Sequence, residues 1–184
     1  MLVRDAIPSD AASLIRLRRS LSAETDFMLH GAGDYNSTEQ EVSAQIERAS
    51  QLRTSRYLVA EHDAMLVAFL GVMGSSVPRT SHAAYLALGV LRSWWSRGIA
   101  TDLLKEIFRW APTAGVTRLE LSVMTTNTRA IALYEGLGFR FEGRRRRAYM
   151  INGAPIDDHL MGYVFDTLQR VGADQDTSWR ASKA

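Results

Sequence analysis

Two apolar runs, Arg56–Glu61 and Met65–Met73, stand three residues apart around His62-Asp63. Both are rich in the β-branched, aromatic and leucine-type residues that suit a half-buried pleated surface, and so short a gap leaves room only for a turn. A third run of the same kind, His82–Val90, follows. Further on, Arg118–Met124 alternates, with Leu119, Leu121 and Val123 on one face. Two longer runs, Phe139–Ile151 and Ile156–Phe165, flank Asn152-Gly153, the preferred central pair of a type I′ hairpin turn. With a short strand in Met1–Ile7, the pattern predicts about seven strands.

Helical signals fill the spaces between them. Pro8-Ser9-Asp10 opens a helix with Ser9 or Asp10 as cap and Leu14, Ile15, Leu17 and Leu21 on its apolar side. Residues 22–37 lack periodicity and read as a loop. Thr38-Glu39-Gln40-Glu41 has the form of a capping box, starting a helix that carries Val42, Ile46 and Ala49 on one face. A third helix leaves Gly98 and carries Leu103, Leu104, Ile107 and Trp110, ending around Pro112 and Gly115. The fourth has helical spacing through Ala130, Ile131, Leu133, Tyr134 and Leu137. The expectation is one α+β domain over residues 1–166, about seven strands and four helices, followed by a loose polar tail over 167–184.

Composition removes several chemistries. A hydrophobic share of 46% with 23% charged residues is that of a soluble globular protein. With no cysteine, disulfides, thiol nucleophiles and thiolate metal sites are excluded. The histidines, His30, His62, His82 and His159, are scattered without ligand spacing, so no metal site is expected. No GxSxG elbow or Walker loop occurs. The N-terminus lacks an uninterrupted apolar segment and no run approaches membrane-span length, which makes a cytoplasmic protein the expectation.

The run Tyr85–Val90 leads through Leu91-Arg92-Ser93-Trp94-Trp95-Ser96-Arg97-Gly98 into the third helix. A helix N-terminus carries unpaired N–H groups and a partial positive charge, and a strand that feeds it through a turn can aim those donors at phosphate oxygens. Gly98 lets an anion approach the backbone, small Ala100 keeps the entrance open, and Arg97 adds a full charge. A plain connector with a helix-starting glycine would look the same in isolation.

The next strand ends in Asn127-Thr128-Arg129-Ala130-Ile131-Ala132-Leu133-Tyr134-Glu135-Gly136-Leu137-Gly138-Phe139. Here the chain resembles the GNAT superfamily of N-acetyltransferases. The likeness covers most of Val3–Phe165 and is strongest at Leu88–Leu104 and at Asn127–Phe139, which is similar to the family's N-x-x-A-x-x-x-Y-x-x-x-G-F segment. It implies a mixed, mostly antiparallel central sheet with helices on its faces, and acetyl-CoA as acetyl donor. By this resemblance Leu88, Gly89 and Val90 offer backbone groups to the pantetheine arm. The segment Trp95, Ser96, Arg97, Gly98, Ile99, Ala100 and Thr101 wraps the pyrophosphate, with Trp95 standing where the family carries a polar side chain. Asn127 and Ala130 support the cofactor from the last strand–helix junction, although Asn127 is also a natural helix cap.

The reaction implied is acetyl transfer to a primary amine of a small molecule or a peptide, with backbone N–H near Val90 holding the oxyanion and Tyr134 donating to the leaving sulfur. A base is less evident. Where the ribosomal-protein branch can carry a glutamate five residues before the asparagine, this chain has Ser122. Glu120, one pleat back on the same face, is the substitute candidate, acting through water, or else an ordinary solvated strand residue. The base matters in proportion to the amine. At pH 7 a lysine-like amine costs about 4.6 kcal/mol to deprotonate and an α-amine about 1 kcal/mol. A site without a strong base suits the α-amine.

Between Ser20 and Glu47 there is no lysine or arginine, while Glu24, Asp26, Asp34, Glu39 and Glu41 are acidic. The resemblance lays this segment over the acceptor cleft, so a cationic substrate is expected, with Glu24 as its partner and Phe27, Met28 and Tyr35 as an apolar wall. A solvated acidic face is the alternative. Arg144-Arg145-Arg146-Arg147 has the opposite sign, but without interleaved aromatic residues it makes a poor nucleic-acid platform. A solvated strand, a homodimer edge or contact with an acidic partner fits it better. A non-catalytic acetyl-CoA-binding or RNA-binding module on the same fold is the rival reading, and Tyr134 argues against it.

Overall fold

The computed structural model describes residues 1–165; the polar segment expected to form a tail lies outside them. The strands are β1 (Leu2–Asp5), β2 (Arg56–His62), β3 (Met65–Gly74), β4 (Ala83–Val90), β5 (Arg118–Met124), β6 (Arg140–Ile151) and β7 (Ala154–Val164). The helices are α1 (Ala11–Glu24), α2 (Glu39–Gln51), α3 (Ile99–Thr113) and α4 (Thr128–Gly136). All seven strands join one sheet in the order β1-β2-β3-β4-β5-β7-β6.

Connection length sets strand direction. The turn between β2 and β3 is tight, with Asp63 and Ala64 both at positive φ (47° and 60°), one residue later than the sequence pattern places it. It gives an antiparallel pair, and β3–β4 is antiparallel as well. From β4 the chain runs through α3 before β5, long enough for a crossover, and β4–β5 is the parallel pair of the sheet. The β6–β7 hairpin turns on Asn152 (φ 51°) and Gly153 (φ 76°), as Asn-Gly requires. Its second strand lies against β5.

The helix starts follow local chemistry. Thr38 Oγ1 accepts the Glu41 N–H at 3.2 Å while Glu41 Oε2 accepts the Thr38 N–H at 2.8 Å, a closed capping box on α2. Asp10 stands at the start of α1, but its carboxylate reaches back: Oδ2 accepts the Ile7 N–H at 2.9 Å and Arg4 donates to both oxygens. Pro112 falls in the last turn of α3, and Gly115 at φ 79° ends the helix path.

Register sorts the side chains into two faces. Tyr85 pairs with Glu120, and Glu120 with Gly162, so these share a face with Ala87, Gly89, Phe69 and Ser122. Helix α1 covers that face: a Cβ placed on Gly89 would come within 2.7 Å of Leu21 and 2.8 Å of Phe69. Gly89 is therefore fixed by close packing. On the opposite face, Phe108 of α3 lies against Tyr163, ring centroids 4.7 Å apart, and Phe139 joins the cluster. Leu103, Leu104 and Ile107 of α3 are fully buried, each contributing about 1.5–3 kcal/mol of apolar burial.

The arginine run on β6 is partly neutralised within the chain. Arg144 pairs with Asp157 at 2.7 Å and Arg145 with the fully buried Asp158. A bulge between Arg145 and Tyr149 places Arg147 at φ 54°, where its N–H donates to Asp157 Oδ1 at 2.8 Å.

Candidate active site

Strands β4 and β5 pair only at Ala83↔Arg118, Ala84↔Leu119 and Tyr85↔Glu120. Beyond that point β4 stays with β3 as far as Val90, and β5 stays with β7 as far as Met124. The sheet opens into a wedge whose inner edges have no strand partner. A cavity of about 540 Å³ fills the wedge, bordered by Leu86–Val90, Ser122–Met124, the start of α3, the start of α4 and the loop after α1.

One end of this cavity is the N-terminus of α3. Gly98 adopts φ 80°, a conformation that favours glycine, and nothing lies within 4 Å of where its Cβ would stand. The first helical bond of α3 runs from the Asp102 N–H to the Gly98 carbonyl at 2.9 Å. The N–H groups of Ile99, Ala100 and Thr101 thus precede the ladder, at the positive end of a 15-residue helix. Ser96, also at positive φ (59°), turns the chain into that end. Arg97 lies over Trp94 at 4.7 Å and Arg129 over Trp95 at 4.6 Å, and Arg129 also donates to Ser96 Oγ at 3.3 Å. The Arg129 contacts tie the start of α4 to the turn that leads into α3.

Trp95 departs from the family's polar residue, and the structure gives the indole a different task. Its Nε1 donates to the Val90 carbonyl at 2.7 Å, holding the end of β4 to the turn. Asn127 caps α4, its Oδ1 accepting the Ala130 N–H at 3.2 Å, and both residues border the cavity. The cap that sequence left open beside a ligand contact is present.

Tyr134 is buried at 7% exposure, meets Phe139 edge-on at 5.6 Å, and borders the cavity from the α3 side of the sheet. Burial pushes its pKa well above the ordinary phenol value, and the nearby Tyr85 phenol acts in the same direction. The group stays protonated at any working pH. Complete proton transfer to a thiolate becomes harder than an unperturbed phenol would make it, so the side chain is suited to donating a hydrogen bond.

Three residues singled out from sequence lie away from the cavity lining. Glu120 sits at the last paired position, below the opening, and accepts from Arg118 Nε at 2.6 Å. Arg118 also bridges to Glu142 and holds its carboxyl below the usual range. Glu120 is one arm of an ion-pair network. Glu24 accepts the Arg92 N–H at 2.8 Å, capping the short turn after β4. Tyr35 is buried at 5%, with its hydroxyl accepting from Arg18 at 2.6 Å. Phe27 does border the cavity, with Met28 and Leu29 beside it. The acidic loop presents its apolar residues to the cleft and turns its carboxylates elsewhere.

Tyr85 is a cavity residue that sequence reasoning missed. Its hydroxyl is 2.8 Å from Ser122 Oγ and accepts the Ser122 N–H at 3.2 Å. The available signal was the large–small–small alternation of Tyr85, Ala87 and Gly89 along one face of β4. Tyr149, Arg129 and Leu133 also join the lining without having been singled out. Among the described residues no group of three or more His, Asp or Glu could hold a metal ion, and no helix is long and apolar enough to cross a membrane.

An unpaired strand edge leading to a glycine-flanked helix N-terminus fits a long donor that is extended along one part and anionic at another. The sequence model of the acetyltransferase (GNAT) family matches residues 20–139. The L-amino acid N-acetyltransferase AaaT of Escherichia coli is 32% identical over 119 residues, 64% of this chain and 74% of that protein. The N-alpha-acetyltransferase RimI of Mycobacterium tuberculosis is 37% identical over 102 residues, 54% of this chain and 61% of its own length. Among solved structures, a GNAT-family acetyltransferase from Streptococcus pneumoniae superimposes with a TM-score of 0.85 at 28% identity, covering 89% of this chain and 98% of the other. The chain belongs to the acetyltransferase (GNAT) family and is an acetyl-CoA-dependent N-acetyltransferase.

Proposed function

We propose that the acceptor is an α-amine, that of an amino acid or of a peptide N-terminus. The observation that carries this reading is the neutrality of the acceptor end. Among the described residues bordering the cavity there is no Asp, Glu, His or Lys, and the two cations, Arg97 and Arg129, stack on Trp94 and Trp95 at the mouth. The lining on the α1 face includes Phe27, Met28, Tyr85, Ala87, Ser122 and Tyr149, and its other members are likewise uncharged. A polycation would find no carboxylate there. A lysine side chain would arrive charged and find no strong base to remove about 4.6 kcal/mol of deprotonation cost at pH 7, against about 1 kcal/mol for an α-amine. The names of two relatives point the same way, one specifying an L-amino acid and the other an N-alpha position.

In this reading the N–H groups of Ile99, Ala100 and Thr101, with Arg97, hold the pyrophosphate, and the open edge Leu88–Val90 holds the pantetheine arm. Bound acetyl-CoA supplies the activated acetyl thioester. Tyr134 donates a hydrogen bond to the departing sulfur, and Asn127 keeps the α4 entrance in place. Phe27 and Met28 contact the acceptor's apolar part. The reaction belongs in the cytoplasm, where acetyl-CoA is available.

The test is thiol release from acetyl-CoA with four acceptor classes: free L-amino acids, peptides with a free N-terminus, Nα-blocked lysine and spermidine. One of the first two should exceed the others at least about tenfold in kcat/KM, the factor that corresponds to about 1.4 kcal/mol. Preference for Nα-blocked lysine or spermidine would overturn the α-amine assignment.

A further inference from the structure

We propose that Tyr85 and Ser122 form the path by which the acceptor amine loses its proton, occupying the function for which the cavity offers no carboxylate. The inference rests on the acceptor end as just described. It requires that the acceptor be an amine, whichever amine that is.

The Tyr85 oxygen is engaged twice by Ser122. It accepts the Ser122 N–H at 3.2 Å and shares a hydrogen with Ser122 Oγ at 2.8 Å. A phenol oxygen has one hydrogen and two lone pairs. When Tyr85 donates to Ser122 Oγ, one lone pair holds the Ser122 N–H and the other faces an incoming N–H. The backbone contact fixes the phenol where the sheet begins to open, because Tyr85 is the last β4 residue paired with β5.

Position gives the pair its meaning. Tyr85 and Ser122 project on the α1 face, alongside Ala87, while Tyr134 approaches from the α3 side with the Phe139 and Phe108 cluster. A thioester carbon held in the opening would have on one side a group suited to the nucleophile's proton and on the other a group suited to the leaving sulfur. The raised pKa of Tyr134 reflects Tyr85 among its causes, which places the two phenols within electrostatic reach of each other. Tyr85 is 38% exposed and Ser122 half-buried, so the path ends in bulk water.

The step balances without another reagent. The acceptor nitrogen uses its lone pair to bond the acetyl carbon, and the carbon–sulfur bond breaks with its electron pair on sulfur. An acceptor that arrives as an ammonium first loses one proton by this path, from nitrogen to the Tyr85 oxygen as the Tyr85 proton passes to Ser122 Oγ and the serine proton to water. The proton that becomes surplus after attack leaves the same way. Because the phenol gives one proton while taking another, it carries no charge. That explains how a neutral site performs the task.

The test compares kcat/KM for the acceptor across pH 6–9 in the wild type, Tyr85→Phe and Ser122→Ala, using whichever amine the wild type turns over best. Tyr85→Phe should lose about 10²-fold near pH 7, within the range for a positioned proton acceptor. The deficit should shrink as pH rises through the amine's own pKa, with the KM for acetyl-CoA unchanged. Ser122→Ala keeps the backbone N–H and should show a smaller loss with the same trend. Activity within twofold of wild type in both variants, or a loss equal at every pH, overturns the relay. If Tyr85→Phe does not fold, the Ser122→Ala profile decides by the same criterion. The α-amine reading is judged separately, on which acceptor the wild type prefers.

Discussion

Tyr134 and Glu120 were both marked from sequence, and their different fates show what a single residue can disclose. Tyr134 stands in a nine-residue helix whose spacing alone puts it on the inward side, and it borders the cavity. Glu120 is held by Arg118, two positions back on the same face of β5, and Arg118 in turn reaches Glu142, 24 residues away, the arm of the network that no local pattern predicts. Tyr85 was missed for the same reason, because its partner Ser122 is 37 residues distant. Tyr134→Phe keeps the ring and its contact with Phe139 while removing the hydroxyl. Steady-state kinetics should show kcat lower by about 10²–10⁴, with acetyl-CoA affinity unchanged by calorimetry. Turnover within twofold of wild type would assign Tyr134 to packing alone.

At the scale of elements, helix starts were read correctly where the signal is local. The Thr38–Glu41 box closes on itself within four residues. The start of α1 is different, since Asp10 is engaged by Arg4 on β1 and by the Ile7 N–H. Arg4 holds the Asp10 carboxyl below the usual range, with burial opposing and the Ile7 N–H assisting. A carboxyl whose folded pKa is depressed stabilises the fold above its unfolded pKa, near 4, and that contribution fades as pH falls through the folded value. Asp10→Ala should therefore cost about 1.5–3 kcal/mol at pH 7, the worth of hydrogen bonds to a charged group. Chemical denaturation at pH 7 and at pH 2.5 checks this: the gap between variant and wild type should narrow in acid. A gap that stays constant would mean that the carboxylate charge is not what Arg4 recognises.

Across the whole molecule the wedge divides the sheet into β1–β4 and β5–β7, joined by three residue pairs at its base. A ligand lodged between them binds only the assembled form, so it must stabilise the fold by linkage. Acetyl-CoA at about a hundredfold above its Kd should add about 2.7 kcal/mol, which for a chain of this size raises Tm by roughly 5–10 °C. Gly98→Glu should abolish the shift, since it forces a side chain onto a φ of 80° and sets a negative charge at the α3 N-terminus. An equal shift in the folded variant would move the phosphate site away from that turn.

What the sequence determined by itself was everything carried by neighbours along the chain: seven strands, four helices, the Asn152-Gly153 turn, the Gly98 corner and the Asn127 cap. Side-chain periodicity and the φ demands of particular residues act over a few positions, and they are written in order. The tertiary structure alone decided where β4 and β5 part, which side chains face the opening, and which charges are already spent on each other. The carboxylates of Glu24 and Glu120 were available to any partner until folding brought the Arg92 N–H and the Arg118 guanidinium to them. Tyr85 became part of a proton path only when β5 was laid beside it. The Glu24–Arg92 and Tyr85–Ser122 contacts join positions 68 and 37 residues apart, and the Arg118 that holds Glu120 is itself held by Glu142 from 24 residues away, separations over which no local preference of the chain acts.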